Sequence, residues 1–262
     1  MTRRRLDTEL VRRKLASTRS EARRLIDDGR VRVSGNPEPK PATLVAPDDS
    51  VHLASLPEPF VSRAGRKLAH ALNEFDVDVT NRRAIDVGAS TGGFTDCLLQ
   101  RGTSQVTAID VGYGQLHWSL RKHPGVVVVE RTNIRTADAA ALGAPFDVVV
   151  ADLAFISLRL VADKLAELGA DDADWVVLIK PQFEAGRTAV GKGGVVRDRE
   201  VRRSAVAGVI DTFAEVGLGL CGLVASPIAG TTGNIEYVAW FRRGAASVAL
   251  EDMFDALKEP PR

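Results

Sequence analysis

Runs of consecutive apolar residues, several of them almost entirely valine, recur from residue 84 onward and alternate with helical patterns. Strands that are buried on both faces have such runs, because neither face meets water. Repeated alternation of strand and helix predicts an α/β fold with a doubly wound, mostly parallel sheet. Seven strands are predicted, at 84–88, 105–110, 126–130, 146–152, 174–180, 219–225 and 235–242.

In a sheet of this kind, ligands bind beyond the carboxyl ends of the strands. The residues that end the predicted strands are therefore the first candidates for a site. They are Gly88, Asp110, Asp152 and Lys180.

The first forty residues differ in charge from the rest of the chain. They hold 12 Lys/Arg against 6 Asp/Glu, whereas all 262 residues have a net charge of +1. Their apolar spacing predicts two short helices, the second capped by Ser20 and ended by Gly29, followed by short strands near 31–33 and 51–53. A basic segment confined to one end indicates a polyanionic partner, and the alternative is a solvated helix face.

The proline-containing stretch ASLPEP, residues 54–59, is typical of an extended linker. We therefore place a small N-terminal α+β domain at 1–55, a linker at 56–61 and the main domain at 62–262.

The two cysteines, Cys97 and Cys221, lie in apolar patterns, so we expect reduced thiols in a cytoplasmic protein. We expect no export signal and no membrane span. Trp118 and Trp240 are expected to pack in the core.

The loop GASTGGF, residues 88–94, follows the first strand of the main domain and allows three interpretations. Gly88 and Gly93 fit the first and third glycines of a dinucleotide fingerprint, but Ser90 replaces the second, which disfavours NAD or FAD. The stretch also matches the nucleophile elbow G-x-S-x-G, yet no histidine follows late in the chain, as a serine hydrolase requires.

The third interpretation of the loop is a site for S-adenosylmethionine, which has no phosphate to press against the backbone. Asp110 lies 22 residues beyond Gly88, at the end of the next strand, where a carboxylate can accept hydrogen bonds from ribose hydroxyls. The alternative role for Asp110 is a strand-end cap for Gly112 and Tyr113.

Four charged residues are expected to meet at the carboxyl edge of the sheet. Asp152 and Lys180 end strands, Glu236 lies near the start of a late strand, and Lys67 lies on the helix before the first strand. A lysine can act as a base when burial and a second cation lower its pKa. We expect Lys180 to be the base, with Lys67 as the second cation. The alternative is a pair of structural salt bridges.

The chain also resembles known families. The segment LVRRKLASTRSEARRLIDDGRVRVSG is similar to a small RNA-binding module first recognised in a small-subunit ribosomal protein. The combination of GASTGGFT, IDVGYGQLHWSLR, VERTNIR, ADLAFISL, IKPQFE, GGVVRD and GNIEYVAWF resembles the TlyA family of rRNA ribose methyltransferases, which have an FtsJ-like catalytic domain.

The resemblance implies 2′-O-methylation of cytidines in rRNA of both ribosomal subunits, and sensitivity to cyclic peptide antibiotics such as capreomycin. It places the family's catalytic tetrad on Lys67, Asp152, Lys180 and Glu236. The donor-binding positions are placed on Gly88, Ser90, Gly92, Gly93, Asp110, Asn133 and Asp152. The RNA-contacting residues are expected to be Arg3, Arg4, Arg19, Arg23 and Arg63.

The linker departs from the family's pattern. Where the family commonly carries Arg-Ala-Trp-Val, this chain has Glu58-Pro59-Phe60-Val61, so Phe60 takes the place of the aromatic residue and the arginine is missing. We expect a monomer that uses no metal. The rival functions are a non-catalytic ribosome assembly factor and a haemolysin.

Overall fold

The computed structural model describes residues 3–27, 30–34, 39–53, 59–186, 189–191, 193–246, 248 and 250–259. The chain divides into two compact units, Met1–Glu58 and Pro59–Arg262. The exact boundaries at 55 and 62 stay predictions, and residues 56–58 of the predicted linker lie outside the described residues.

The described residues of the first unit form two short helices and four short strands. In chain order these are β1 (Arg4–Arg5), α1 (Leu6–Arg12), α2 (Arg19–Asp27), β2 (Val31–Val33), β3 (Leu44–Val45) and β4 (Val51–Leu53). Strand β1 pairs with β3, and β2 pairs with β4, both antiparallel. The buried core includes Leu6, Leu10, Ala22, Leu25, Ile26, Val31 and Val45.

The prediction that Ser20 caps the second helix was wrong. Helix α2 begins at Arg19, and the Thr18 hydroxyl accepts a hydrogen bond from the Glu21 amide at 3.1 Å. The Glu21 carboxylate in turn accepts from the Ser17 amide at 2.7 Å. This reciprocal arrangement satisfies amides at the start of the helix. Gly29, the predicted end of the helix, lies outside the described residues.

The second unit alternates helices and strands as predicted. Its elements are α3 (Ala64–Glu74), β5 (Arg83–Val87), α4 (Gly93–Gln100), β6 (Gln105–Ile109), α5 (Trp118–Arg121), β7 (Val126–Val129), α6 (Ala139–Leu142), β8 (Phe146–Ala151), α7 (Ala162–Leu168), β9 (Gly169–Ile179), α8 (Pro181–Glu184), α9 (Arg199–Glu215), β10 (Leu218–Ala225), β11 (Tyr237–Arg243) and α10 (Leu250–Ala256). A short 3-10 turn, Leu158–Leu160, precedes α7.

The seven strands form one doubly wound sheet in the order β10-β11-β9-β8-β5-β6-β7. Strand β11 is antiparallel to both of its neighbours, and the strands from β9 to β7 run parallel. Strand β9 begins at Gly169, five residues before the predicted start. Its pairing with β8 is irregular between Phe146 and Val148, and the exposed acidic pair Asp171 and Asp172 in this part does not resemble a buried strand.

Apolar side chains cover both faces of the sheet. Helices α7, α9 and α10 pack on one face, whereas α3 and α4 pack on the other. Trp240 stacks on Phe75 with 5.7 Å between ring centroids, as expected for a packed residue. The expectation for Trp118 was wrong, because this side chain is 66% exposed at the start of α5.

Candidate active site

The sheet brings three of the predicted site residues to one edge. Ala151 is in register with Val177 on the parallel neighbour, and Tyr237 is opposite Ile179 on the antiparallel one. Asp152 and Lys180 therefore follow the ends of adjacent strands, and Glu236 immediately precedes the start of β11 at the same edge. The expectation for Glu236 depended on an antiparallel β11, and the structure has that orientation.

Two ion pairs join the four charged residues. Lys180 Nζ lies 2.5 Å from Asp152 Oδ1, and Lys67 Nζ donates to Glu236 Oε2 at 2.5 Å. All four side chains are at most 16% exposed. Buried charges are costly unless they are paired, so pairing explains how they coexist at this depth.

The Lys67–Glu236 pair includes a hydrogen bond, whereas the Lys180–Asp152 pair does not. Asp152 Oδ1 is buried and receives no well-directed hydrogen bond from the described residues, so its contact with Lys180 is an ion pair alone. The Glu236 carboxylate is fitted more closely: a Cβ on Gly230 would lie 2.5 Å from Glu236 Oε1. Gly230 therefore leaves the space that this carboxylate occupies.

The glycine loop holds the backbone close to the Asp152 position. Gly88 has φ +88°, and a Cβ there would lie 2.6 Å from the Asp152 carbonyl oxygen. Ser90 follows with φ +47° and Gly92 with φ +95°, so the loop turns through three left-handed positions. Gly93 begins α4 and packs against Ser62, where a Cβ would collide with the Ser62 hydroxyl.

Two adjoining cavities lie beside this loop. The larger cavity has a volume of about 390 Å³. Five of the predicted donor-site residues are in its lining: Gly88, Ser90, Asp110, Asn133 and Asp152. The smaller, of about 170 Å³, shares Gly88, Ser90, Asp152 and Ala154 with the first and adds Ser62, Asp86, Gly93 and Lys180.

Gly92 does not belong to either lining among the described residues. It has φ +95° and faces the side chains of Leu116 and Leu120. The structure therefore places Gly92 in packing beneath the loop, whereas the other predicted donor positions line a cavity.

Asp110 receives two backbone hydrogen bonds. Its Oδ2 accepts from the Ser90 amide at 2.8 Å and its Oδ1 accepts from the Gly112 amide at 2.7 Å. The alternative role as a cap for Gly112 is therefore present alongside the position in the cavity. Each carboxylate oxygen can accept a second hydrogen bond, so the cap leaves capacity for a ligand.

Asp86 lines the smaller cavity and is not among the site residues predicted from the sequence. The residue is fully buried, and its Oδ2 accepts from the Thr95 amide and hydroxyl at 2.9 and 2.7 Å. Its Oδ1 has no hydrogen-bond partner among the described residues. Burial raises the pKa of Asp86 to about 7 against the opposing effect of Thr95. The available signal was a carboxylate inside the apolar run AIDVG.

The basic residues predicted to contact RNA have different surroundings. Arg19 and Arg23 pair with the buried Asp7, and Arg4 lies 4.0 Å from Glu9. Arg3 is exposed in the first unit, and Arg63 is exposed just before α3 in the second.

No group of three or more histidine, cysteine, aspartate or glutamate side chains that could hold a metal ion occurs in the described part of the chain. Within the same part, no helix is both long enough and apolar enough to cross a bilayer.

Comparison with known proteins identifies the family. The FtsJ-like methyltransferase family model matches residues 60–243, and the S4 domain model matches residues 4–51. The 16S/23S rRNA (cytidine-2′-O)-methyltransferase TlyA of Mycobacterium tuberculosis is 48% identical over 98% of each chain. The 23S rRNA (cytidine-2′-O)-methyltransferase TlyA of Campylobacter jejuni is 34% identical over 74% of this chain and 75% of its own.

The fold agrees with this assignment. A solved structure of a hemolysin-named protein from Streptococcus thermophilus is 34% identical, with a TM-score of 0.73 over 97% of this chain and 95% of its own. The chain belongs to the TlyA family of FtsJ-like rRNA 2′-O-methyltransferases, which join this S-adenosylmethionine-dependent catalytic domain to an N-terminal S4 domain.

Proposed function

We propose that this chain methylates the ribose 2′-hydroxyl of cytidines in 16S and 23S rRNA, with Lys180 as the base. The observation that carries the proposal is the Lys180–Asp152 ion pair at the wall of two adjoining cavities. A base at that place lies where a methyl donor and a hydroxyl can meet.

The residues that line the cavities suit S-adenosylmethionine. The unpartnered Asp86 Oδ1 in the smaller cavity can accept a hydrogen bond from the donor's ammonium group. Asp110 and Asn133 line the larger cavity; in this proposal Asp110 accepts from the ribose hydroxyls and Asn133 contacts the adenine. When bound, S-adenosylmethionine supplies a methyl group on a positively charged sulfur.

The remaining steps belong to side chains of the site. In its neutral form, Lys180 Nζ would take the proton of the 2′-hydroxyl. The hydroxyl oxygen would bond to the methyl carbon as the bond between that carbon and the donor's sulfur breaks, which leaves S-adenosylhomocysteine. Asp152 orients Lys180, while Lys67 adds the second positive charge and Glu236 holds Lys67 in place. Correct positioning of the two reactants contributes much of the rate in such a displacement.

The N-terminal unit provides the RNA-binding surface in this proposal, through Arg3, Arg4, Arg19 and Arg23, and Arg63 adds a contact from the catalytic unit. We infer both subunits as substrates because the relative whose name includes both rRNAs aligns over 98% of each chain. We further propose that the enzyme acts as a monomer in the cytoplasm, consistent with free thiols at Cys97 and Cys221.

The test uses labelled S-adenosylmethionine and purified, unmethylated small and large ribosomal subunits. Wild type is compared with Lys180→Ala and with Lys164→Ala, which changes a lysine on α7. We expect label in the ribose of both rRNAs with wild type and Lys164→Ala, and none with Lys180→Ala. Transfer by Lys180→Ala at the wild-type rate would refute its role as base, and binding without transfer by wild type would favour an assembly factor.

A further inference from the structure

Three arginines of the N-terminal unit converge on one buried oxygen atom. Asp7 is 0% exposed, and its Oδ2 accepts from Arg5 Nη2 at 3.1 Å, from Arg19 Nη2 at 3.0 Å and from Arg23 Nε at 3.3 Å. Arg5 belongs to β1 and the other two to α2. A carboxylate at the start of α1 thus gathers cations from two other elements.

Burial by itself would raise the pKa of Asp7, but hydrogen bonds from the three arginines outweigh that effect and hold the pKa well below its usual range. Asp7 is therefore ionised at neutral pH, and its negative charge can hold the three arginines together.

The arginines remain accessible although the carboxylate is not. The side chains of Arg5, Arg19 and Arg23 are 44%, 53% and 55% exposed. A guanidinium carries five N–H donors, of which Asp7 takes two from Arg5 and one from each of the others. The group keeps a surplus of positive charge and of donors at the surface.

Mutual repulsion would separate these cations without the carboxylate, because like charges at such distances repel each other. Clustered guanidinium groups are well suited to phosphate, whose oxygens accept several charge-assisted hydrogen bonds at once. The arrangement therefore matches the RNA backbone rather than a base edge.

We propose that Asp7 is a positioning residue for RNA binding, which holds Arg5, Arg19 and Arg23 together as one phosphate-binding group. The inference rests on the proposed RNA-binding role of the basic N-terminal unit. It adds a negatively charged residue to the requirements for binding a negatively charged partner.

Net charge alone and positioning by Asp7 predict opposite changes in RNA affinity for the Asp7→Asn variant. Asp7→Asn raises the net charge by one and would strengthen binding if charge alone mattered. Positioning predicts affinity about tenfold lower and a shallower dependence on salt, because fewer phosphate contacts release fewer counterions. The direction of the change separates the two explanations.

The experiment measures the dissociation constant of the full-length protein for unmethylated large ribosomal subunits over a series of KCl concentrations. Asp48→Asn is the matched control, since it makes the same charge change at an exposed residue of the same unit. We expect Asp7→Asn to bind more weakly than wild type, and Asp48→Asn to bind at least as tightly. Affinity of Asp7→Asn equal to or above wild type would overturn the proposal.

Arg19→Ala and Arg23→Ala test the underlying RNA contact. If neither weakens binding, the proposed RNA-binding role of these arginines fails; if both do and Asp7→Asn does not, only the positioning role fails. If circular dichroism shows that Asp7→Asn does not fold, the RNA affinity of the Arg19→Ala/Arg23→Ala double variant is compared with the affinities of the two single variants. Independent contacts give additive losses, whereas members of one organised group lose less together than the sum, so additive losses would overturn the proposal.

Discussion

Lys67 Nζ lies 2.5 Å from Glu236 Oε2, and the pair joins helix α3 to the residue before β11 across 169 positions of the chain. The two side chains are only 10% and 3% exposed. Replacing a buried ion pair with apolar residues of similar volume is often neutral or stabilising. Stability is therefore a weak explanation for this pair, and its position beside Lys180 and Asp152 favours a chemical role.

Removing one partner of this pair should destabilise the fold more than removing both. We expect Lys67→Met or Glu236→Leu alone to cost about 3–5 kcal/mol, because each leaves a buried charge unpaired, and the double variant to recover most of that loss. All three should be inactive. Urea unfolding and methyl transfer measure the two effects, and an active double variant would show that the pair is structural.

Asp86 should couple donor binding to pH. If its carboxylate binds the ammonium group, wild-type affinity for S-adenosylmethionine should fall as the pH drops below about 7. Asp86→Asn should bind weakly at every pH and lack this step. Isothermal titration calorimetry between pH 6 and pH 8, roughly one unit either side of the midpoint, measures the change in affinity. An unchanged wild-type affinity over that range would contradict the assignment.

Although Asp86→Asn should weaken donor binding, it should stabilise the fold at neutral and higher pH. The pKa of Asp86 is raised from 3.8 to about 7, so the folded state holds a proton that the unfolded chain has lost between these values. The folded state of the wild type therefore becomes less stable relative to the unfolded chain as the pH rises from about 4 to about 7. We expect Asp86→Asn to gain stability relative to wild type above pH 7, by a few kcal/mol at most. Asp163→Asn, on an exposed position of α7, is the control.

Gly88 and Gly114 separate backbone strain from loss of space. Both have positive φ, but a Cβ on Gly88 would lie 2.6 Å from the Asp152 carbonyl oxygen, whereas a Cβ on Gly114 would have no atom of the described residues within 4 Å. We expect Gly114→Ala to cost about 1 kcal/mol, and Gly88→Ala about 1–3 kcal/mol more.

Gly88→Ala should also abolish methyl transfer, because it displaces the residue that pairs with Lys180. Thermal unfolding and the transfer assay give the two readouts. Equal stability of the two variants would show that the β5 and β8 ends can separate without penalty.

The valine-rich runs were sufficient to predict the sheet, because strands that are buried on both faces consist almost entirely of apolar residues. Sequence did not reveal the early start of β9. The first part of β9 pairs irregularly with β8 and contains the exposed Asp171 and Asp172, which are equally typical of a turn. The cap of α2 was misplaced because Thr18 and Ser20 are both good capping residues, and only the contacts to Glu21 distinguish them.

The sequence predicted that Lys67, Asp152, Lys180 and Glu236 would meet at the carboxyl ends of the strands, and the structure adds the distances within each pair and the cavities beside them. Asp86 was missed because a single carboxylate in an apolar run has no visible partner in sequence. Its two bonds to Thr95 span nine positions across the glycine loop. The pairing of exposed arginines with Asp7 was equally invisible, since helix α2 and strand β1 meet at that carboxylate only in the folded unit.

Phe60 should anchor the donor site from the segment that departs from the family's linker pattern. Its ring packs against Gly65 in the first turn of α3, so closely that a Cβ on Gly65 would collide with it. The next residue, Val61, is held by a hydrogen bond from its amide to Asp96 Oδ2 at 2.7 Å. Ser62 then lines the smaller cavity, so the packing of Phe60 fixes one wall of that cavity.

We expect Phe60→Ala to cost about 1–3 kcal/mol in stability, because the ring is only partly buried. It should also weaken S-adenosylmethionine binding by roughly tenfold, or about 1.4 kcal/mol. Phe60→Trp, which restores the family's aromatic residue, should retain affinity. Calorimetric titration of the donor measures both variants beside thermal unfolding. A Phe60→Ala protein that is less stable yet binds the donor as tightly as wild type would show that the ring supports the fold and not the donor site.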